Sequence, residues 1–303
     1  MPATDPNDIK NKMKRSDVVN RLKAEKARAK LKRRQRIAKE EEENPALKEE
    51  RLKENVPKTL ENMREMDETV VGENDEEVFE EEETDEFKQY FADGVQPKIM
   101  VTTSKRASAN VYEFAEEFVS IFPDAELIKR GSQFEIKRIV ELAIKRNYTD
   151  IAVINEDKKQ PNAITLIHLP HGPTAHFKLS SIRLNKDIRG HGKVGPQKPE
   201  LILNNFTTRL GHTIGRFFAA LFPHVPEFQG RQVATFHNQR DFIFFRRHRY
   251  IFKNGERCDL QELGPRFTLK LRWLQKGTFD TRFGEYEWMH KPELDTSRRR
   301  FFL

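Results

Sequence analysis

Apolar positions recur along residues 97–303 at two periods, and residues 1–96 sustain neither. Ile99-Met-Val-Thr-Thr103 is a short apolar run of the kind that forms a buried strand. Val111, Phe114, Phe118, Ile121 and Phe122 follow at helical spacing and share one face, and Pro123 ends that helix because it lacks an amide proton. Asn110 and Glu113 have the spacing of a capping box at its start. A second helix is predicted over 134–145, with Ile136, Ile139, Val140 and Ala143 inward. Asp150-Ile-Ala-Val-Ile-Asn155 and Ala163-Ile-Thr-Leu-Ile-His168 read as strands joined by a polar turn. Beyond them come a strand at Leu201-Ile-Leu-Asn-Asn-Phe206 and a helix carrying Ile214, Phe218, Leu221 and Phe222, stopped by Pro223. Val233-Ala-Thr-Phe236 then turns into Asp241-Phe-Ile-Phe-Phe245 as a hairpin. Strands alternating with helices in this way predict a layered α/β fold.

The two series repeat one another. Gly172-Pro-Thr-Ala-His-Phe-Lys-Leu179 returns as Gly264-Pro-Arg-Phe-Thr-Leu-Lys-Leu271, and Phe118-Val-Ser-Ile-Phe-Pro123 as Phe218-Ala-Ala-Leu-Phe-Pro223. Two copies so far apart do not make a solenoid. They predict two duplicated, pseudo-symmetric half-domains, 97–185 and 200–303, joined by a Gly-, Pro- and Lys-rich linker at 186–199. In this alignment the strand at 241–245 matches the strand at 150–155. The offset shrinks on the way, which implies a shortened or missing helix in the second copy.

Charge divides the chain further. Residues 1–39 carry 14 Lys and Arg against 4 Asp and Glu, residues 40–96 carry 6 against 22, and residues 97–303 carry 35 against 22. The net charge of +7 therefore combines a basic arm, an acidic segment and a basic body, an asymmetry that points towards nucleic acid. The arm is rich in helix formers, but Val18, Val19, Leu22, Leu31 and Ile37 sustain no heptad, so a marginal single helix is expected. Lys30-Leu-Lys-Arg-Arg-Gln-Arg36 reads equally as a nuclear address, a nucleic-acid patch or a solvated helix face. The acids of 73–86 repel one another and leave little to bury, so disorder is expected there, as a solvated spacer or as an RNA mimic that shields the basic body. No apolar run is long enough to span a membrane, and 1–14 lacks the apolar core of a secretory signal. Cys258 is the sole cysteine, which rules out an intramolecular disulfide and a cysteine-based zinc site.

Candidate chemistry concentrates in the second half. If 266–272 is a strand, Arg266, Thr268, Lys270 and Arg272 line one side while Phe267, Leu269 and Leu271 pack beneath. Cations about 7 Å apart along a strand suit a phosphate track, and Arg adds bidentate contacts and stacking on bases. With the cations interleaved among aromatics at 242–250 and those of the C-terminal tail, the candidate RNA-binding residues are Arg246, Arg247, Arg249, Arg266, Lys270, Arg272, Lys276, Arg298, Arg299 and Arg300. Enzyme-like patterns are weaker. Asp124 and Glu135 have the spacing of a metal-dependent nuclease signature, but Glu135 begins a predicted helix. Gly190-His-Gly-Lys-Val-Gly195 lacks the Gly-Lys-Ser/Thr of a phosphate loop, and His168, His171 and His176 have no acid or thiolate to complete a metal set. No catalytic residue, metal or cofactor is expected.

Three stretches carry a family resemblance: 199–212 (Pro-Glu-Leu-Ile-Leu-Asn-Asn-Phe-Thr-Thr-Arg-Leu-Gly-His), 236–245 (Phe-His-Asn-Gln-Arg-Asp-Phe-Ile-Phe-Phe) and 260–272 (Leu-Gln-Glu-Leu-Gly-Pro-Arg-Phe-Thr-Leu-Lys-Leu-Arg). They resemble the Brix domain, over about residues 97–303. The resemblance implies two α/β halves, each similar to the anticodon-binding module of class IIa aminoacyl-tRNA synthetases. It also implies a non-catalytic nucleolar, hence nuclear, factor that binds pre-ribosomal RNA during assembly and pre-rRNA processing of the large (60S) subunit. One dedicated nucleolar protein partner and other pre-60S factors are implied as well. The family's RNA-binding motif falls on Arg266, Lys270 and Arg272. The first copy departs from that motif: Thr174 stands in place of the arginine and Ser180 and Ser181 follow Leu179, which leaves Lys178 as its main cation.

Overall fold

The computed structural model describes residues 9–66, 68–72, 75–253, 257–280 and 282–303. Part of the stretch read as lacking a secretory signal, and residues 73 and 74 of the acidic segment, lie outside them. The chain divides into two compact units, 1–63 and 64–303.

The first unit is helical and buries none of its helix side chains. Helix α1, Lys12–Glu43, starts where the Asn11 side chain accepts the amides of Met13 and Lys14 at 3.0 and 3.2 Å. Helix α2, Pro45–Glu54, opens on Pro45, whose missing amide proton costs nothing in a first turn. Arg51 of α2 pairs with Glu41 of α1. The sparse apolar positions of the arm leave it no face to bury.

The second unit begins at Arg64, well before the boundary expected at residue 97. Within the acidic segment, α3 spans Glu76–Thr84 and α4 spans Lys88–Ala92. Phe87 is fully buried, 5.5 Å from the ring of Phe217, and the buried Tyr90 donates its hydroxyl to the Ala220 carbonyl at 2.9 Å. Phe87 and Tyr90 dock the chain just past the acidic run, and 76–84 within the run is helical rather than the expected disordered spacer.

The sheet contains β1 Ile99–Thr103, β2 Ala125–Leu127, β3 Asp150–Asp157, β4 Gln160–His168, β5 Thr174–Arg183, β6 Glu200–Asn204, β7 Gln232–Gln239, β8 Phe242–Lys253, β9 Arg257–Glu262, β10 Arg266–Gln275 and β11 Tyr286–Met289. Its order is β2-β1-β3-β4-β5-β10-β8-β7-β6, with β9 beside β8 and β11 beside β10. Helices α5, Ala109–Val119, and α7, Arg209–Ala220, share one face with a single aromatic core that runs through Phe114, Phe118, Phe177, Phe218, Phe236, Phe245 and Phe267. Helix α6, Ile136–Ile144, packs Val140 and Ala143 on the opposite face, against Met100, Ile151 and Val153. The apolar stripes of α5, α6 and α7 lie as their spacing predicts.

Two local expectations are corrected. The cap of α5 is Ser108, without a side-chain hydrogen bond: Asn110 donates to the Lys159 carbonyl and Glu113 pairs with Lys186. Those long-range partners outcompete the local box. In the sheet β8 follows β7 as β4 follows β3, so the strand at 241–245 occupies the place of β4 rather than of the strand at 150–155. Gly172 has φ +102°, and a Cβ there would lie 2.3 Å from the backbone of Gly277. The Gly-Pro step is thus a packed crossing of two chain segments as well as a strand start.

Candidate nucleic-acid interface

Helix α6 covers the second face of the sheet beside β1, β3 and the end of β4. Between α7 and β7 the described chain has a single 3-10 turn, Phe228–Gly230, and no helix to match α6. The same face of β7, β8, β10 and β5 is therefore furnished with polar and aromatic side chains. Registers align His237 with Phe244, Phe244 with Thr268 and Thr268 with Ser180. In the next row Gln239 faces Phe242, and Lys270 faces Lys178. The Lys270 ammonium sits 5.1 Å from the centroid of the Phe242 ring, which is 41 % exposed. Cations beside exposed aromatics on a sheet can hold phosphates and stack bases at once.

The ten candidate residues do not form one cluster. Arg246, Arg266 and Lys270 share the open face, as strand alternation requires, whereas Arg272 sits at a register shift between Leu271 and Trp273. Arg266 is already engaged: its guanidinium grips Glu262 with two hydrogen bonds of 2.5 Å. That pairing holds the Glu262 carboxyl below its ordinary range and pushes Arg266 up. Arg246 lies 4.0 Å from the same carboxylate, and burial lowers its pKa. Arg272 approaches Nδ1 of His290 at 3.3 Å. Burial, reinforced by Arg272, holds His176 below its usual pKa, and the His176 ring stacks on Trp273 at 5.0 Å.

Arg247 is corrected outright. It points to the core side of β8, is 2 % exposed, and donates to the Ser120 carbonyl at 2.6 Å and to Gln232 Oε1 at 2.8 Å. Burial, with Arg249 nearby, pushes its pKa down to about 10. A guanidinium sealed there is a structural bracket, out of reach of a ligand. Arg249 follows it in β8 and donates to the Lys193 carbonyl at 3.2 Å. Lys276 is exposed at the end of β10. Arg298, Arg299 and Arg300 are exposed, but their segment is no loose tail: Phe301 and Leu303 are buried, and Asp241 accepts the amides of Phe302 and Leu303 at 2.7 and 2.9 Å.

Sequence reasoning missed Arg183, which is exposed and paired in register with Arg266, and left Lys178, the main cation of the first copy, off the candidate residues although it is exposed beside Lys270. Register across β5 and β10 brings these together, and no local pattern announces it. The histidines considered for metal lie apart in role: buried His168 bonds Asp150 at 2.8 Å, His176 stacks on Trp273 and His171 is exposed. Glu135 caps the start of α6 and pairs with Lys105. Among the described residues no three His, Cys, Asp or Glu converge as a metal site.

The Brix domain model matches residues 104–273, more than half of the chain, and this chain belongs to the Brix domain family. A mouse protein named Ribosome production factor 1 is 53 % identical over 304 aligned positions, which cover 100 % of this chain and 86 % of that one. The Saccharomyces cerevisiae protein of the same name is 50 % identical over 297 positions, 97 % of each chain. A crystal structure described as a probable ribosomal biogenesis protein from Aeropyrum pernix K1 superposes with a TM-score of 0.45 at 18 % identity, over 65 % of this chain and 100 % of its own.

Proposed function

We propose that this chain is a non-catalytic assembly factor of ribosome biogenesis that holds pre-ribosomal RNA of the large subunit on the open sheet face. The observation that carries the reading is the row of Lys178, Lys270 and Phe242, with Arg246 further along the same face, on a stretch of sheet where the described chain has no counterpart of α6. The name shared by the mouse and yeast relatives supports the place in ribosome biogenesis. A nucleolar location, a dedicated protein partner and other pre-60S factors belong to the same reading. No described helix is long and apolar enough to cross a membrane. Two half-domains of the anticodon-binding kind, related by duplication, would account for the strand order, in which β1-β3-β4-β5 meets β6-β7-β8-β10 through its last members.

The test replaces Lys178, Arg246 and Lys270 together by Ala and measures affinity for a large-subunit pre-rRNA fragment across a salt series. Affinity falls, and the slope of log K against log salt flattens by about 0.7 to 0.9 for each phosphate no longer neutralised. Unchanged affinity and slope in a folded variant overturn the assignment. A protein-scaffold reading has its own observation: Ile251, Phe252 and Leu260 of the β8–β9 pair are 49 %, 64 % and 61 % exposed. It predicts a partner complex that survives nuclease treatment and is abolished by Phe252→Asp.

A further inference from the structure

A second cationic surface lies away from the open face, on α7, and the chain's own acidic helix covers it. Arg209, His212 and Arg216 recur at helical spacing along α7 and meet acids of the segment 81–85. Arg216 donates to Asp85 at 2.6 and 3.0 Å and to Glu82 at 3.3 Å, and its guanidinium lies 5.1 Å from the centroid of the Phe91 ring. Arg209 reaches Glu81 at 3.4 Å, and His212 Nδ1 is 3.7 Å from Glu82.

The two ends of this acidic strap are held by different forces. Phe87 and Tyr90 anchor α4 in the core, whereas α3 contributes one buried apolar side chain, Val78, and leaves Phe79 56 % exposed. A cleft of about 390 Å³ remains among α3, α7 and the C-terminal segment. Helix α3 is thus held mainly by partly exposed ion pairs, which are weak and are screened by salt. Its sequence, Glu-Glu-Val-Phe-Glu-Glu-Glu-Glu-Thr, also brings like charges together at i,i+4, which opposes the helix itself. The Glu82 carboxylate holds Arg216 through Nη1 alone, a position on the guanidinium that a phosphate oxygen can take while Asp85 keeps the other edge.

We propose that the outer face of α7 is a second phosphate-binding surface for RNA, closed in cis by α3 acting as a carboxylate stand-in for the backbone. The inference rests on the RNA-binding reading above. RNA on the open face raises the local concentration of phosphates, which displace Glu81 and Glu82 while Phe87 keeps the strap tethered. Asp85 stays, because it also accepts the Phe87 amide at 3.1 Å.

The experiment compares the full chain with Glu81→Gln/Glu82→Gln and with a control, Glu80→Gln/Glu83→Gln, that makes the same charge change on the same helix. Kd for the pre-rRNA fragment is measured across a salt series, with thermal unfolding to confirm folding. The 81/82 variant binds roughly fivefold tighter at low salt with a steeper salt slope, the control changes less, and adding Arg209→Ala/His212→Ala cancels the gain. In the unaltered protein, hydrogen exchange of 76–84 speeds up when RNA is added. Equal effects of the two variants, or unchanged exchange on binding RNA, overturn the second surface and leave the open-face reading standing. Failure of the unaltered chain to bind RNA overturns both. Faster exchange of 76–84 with an acidic peptide but not with RNA assigns the α7 face to a protein and overturns this proposal.

Discussion

Lys178 and Lys270 stand directly opposite one another on the neighbouring antiparallel strands β5 and β10. Like charges so placed destabilise a sheet by about 0.2–1 kcal/mol, and an anion arriving between them relieves that cost. Lys178→Thr therefore leaves folding stability unchanged or raises it by up to about 1 kcal/mol, while RNA affinity drops. Paired denaturant titrations and salt-series binding check both signs. A variant that loses stability and keeps its affinity contradicts a ligand-facing role for the pair.

Arg247 behaves oppositely. Removing it takes a donor from the part-buried Ser120 carbonyl and strands Gln232 Oε1 in the core. Each buried acceptor left unpaired costs about 1–3 kcal/mol. Arg247→Ala lowers the urea midpoint sharply, and the fraction still folded binds RNA with unchanged salt slope.

Glu262 tunes the open face by neutralising Arg266 and lying beside Arg246. Arg266→Ala alone then weakens RNA binding little, whereas Glu262→Gln strengthens it roughly severalfold at low salt, with the gain fading as screening rises. Anisotropy titrations at two salt concentrations decide this; a large loss with Arg266→Ala shows that the Arg266–Glu262 pair opens on binding.

The second unit needs its acidic strap. A chain starting at residue 64 keeps the melting temperature of the body, whereas one starting at residue 97 loses Phe87 and Tyr90 from the core. Phe87→Ala costs about 3–5 kcal/mol, the range for a buried aromatic truncated to Ala. Thermal unfolding of the three chains checks the order.

The 2.8 Å ion pair between Lys137 of α6 and Asp280 after β10 gives a pH signature. The Lys137 hydrogen bond, helped by the Arg282 amide, holds the Asp280 carboxyl at about 2, below its ordinary 3.8. A carboxyl depressed on folding contributes stability that is complete above its unfolded pKa and is lost as pH falls through the folded one. The stability gap between the unaltered protein and Asp280→Asn is therefore widest above pH 4 and closes towards pH 2. Urea midpoints at pH 5, 3 and 2 measure it.

Much of the layering was legible. The aromatic stripes of α5 and α7, the run at 99–103 and the inward residues of α6 report local periodicity, which survives folding because each element must bury its own apolar face. The capping box failed, since Asn110 and Glu113 found partners at Lys159 and Lys186 that no local window contains. In the candidate interface, alternation along β10 placed Arg266 and Lys270 on one side, while the register shift beside Arg272 is invisible to a local pattern. Cation density then drew in Arg247, because density along a chain carries no information about which face a strand buries.

By itself the sequence determined that this chain is a basic α/β body behind charged segments, because composition and periodicity act within each element. Tertiary structure alone decided which charges are available. Strand register set Lys178 against Lys270, burial withdrew Arg247, Glu262 occupied Arg266, and Phe87 drew an acidic strap onto α7. Whether a charge meets solvent, another charge or a ligand depends on distances between residues far apart in the chain, and only packing fixes those distances.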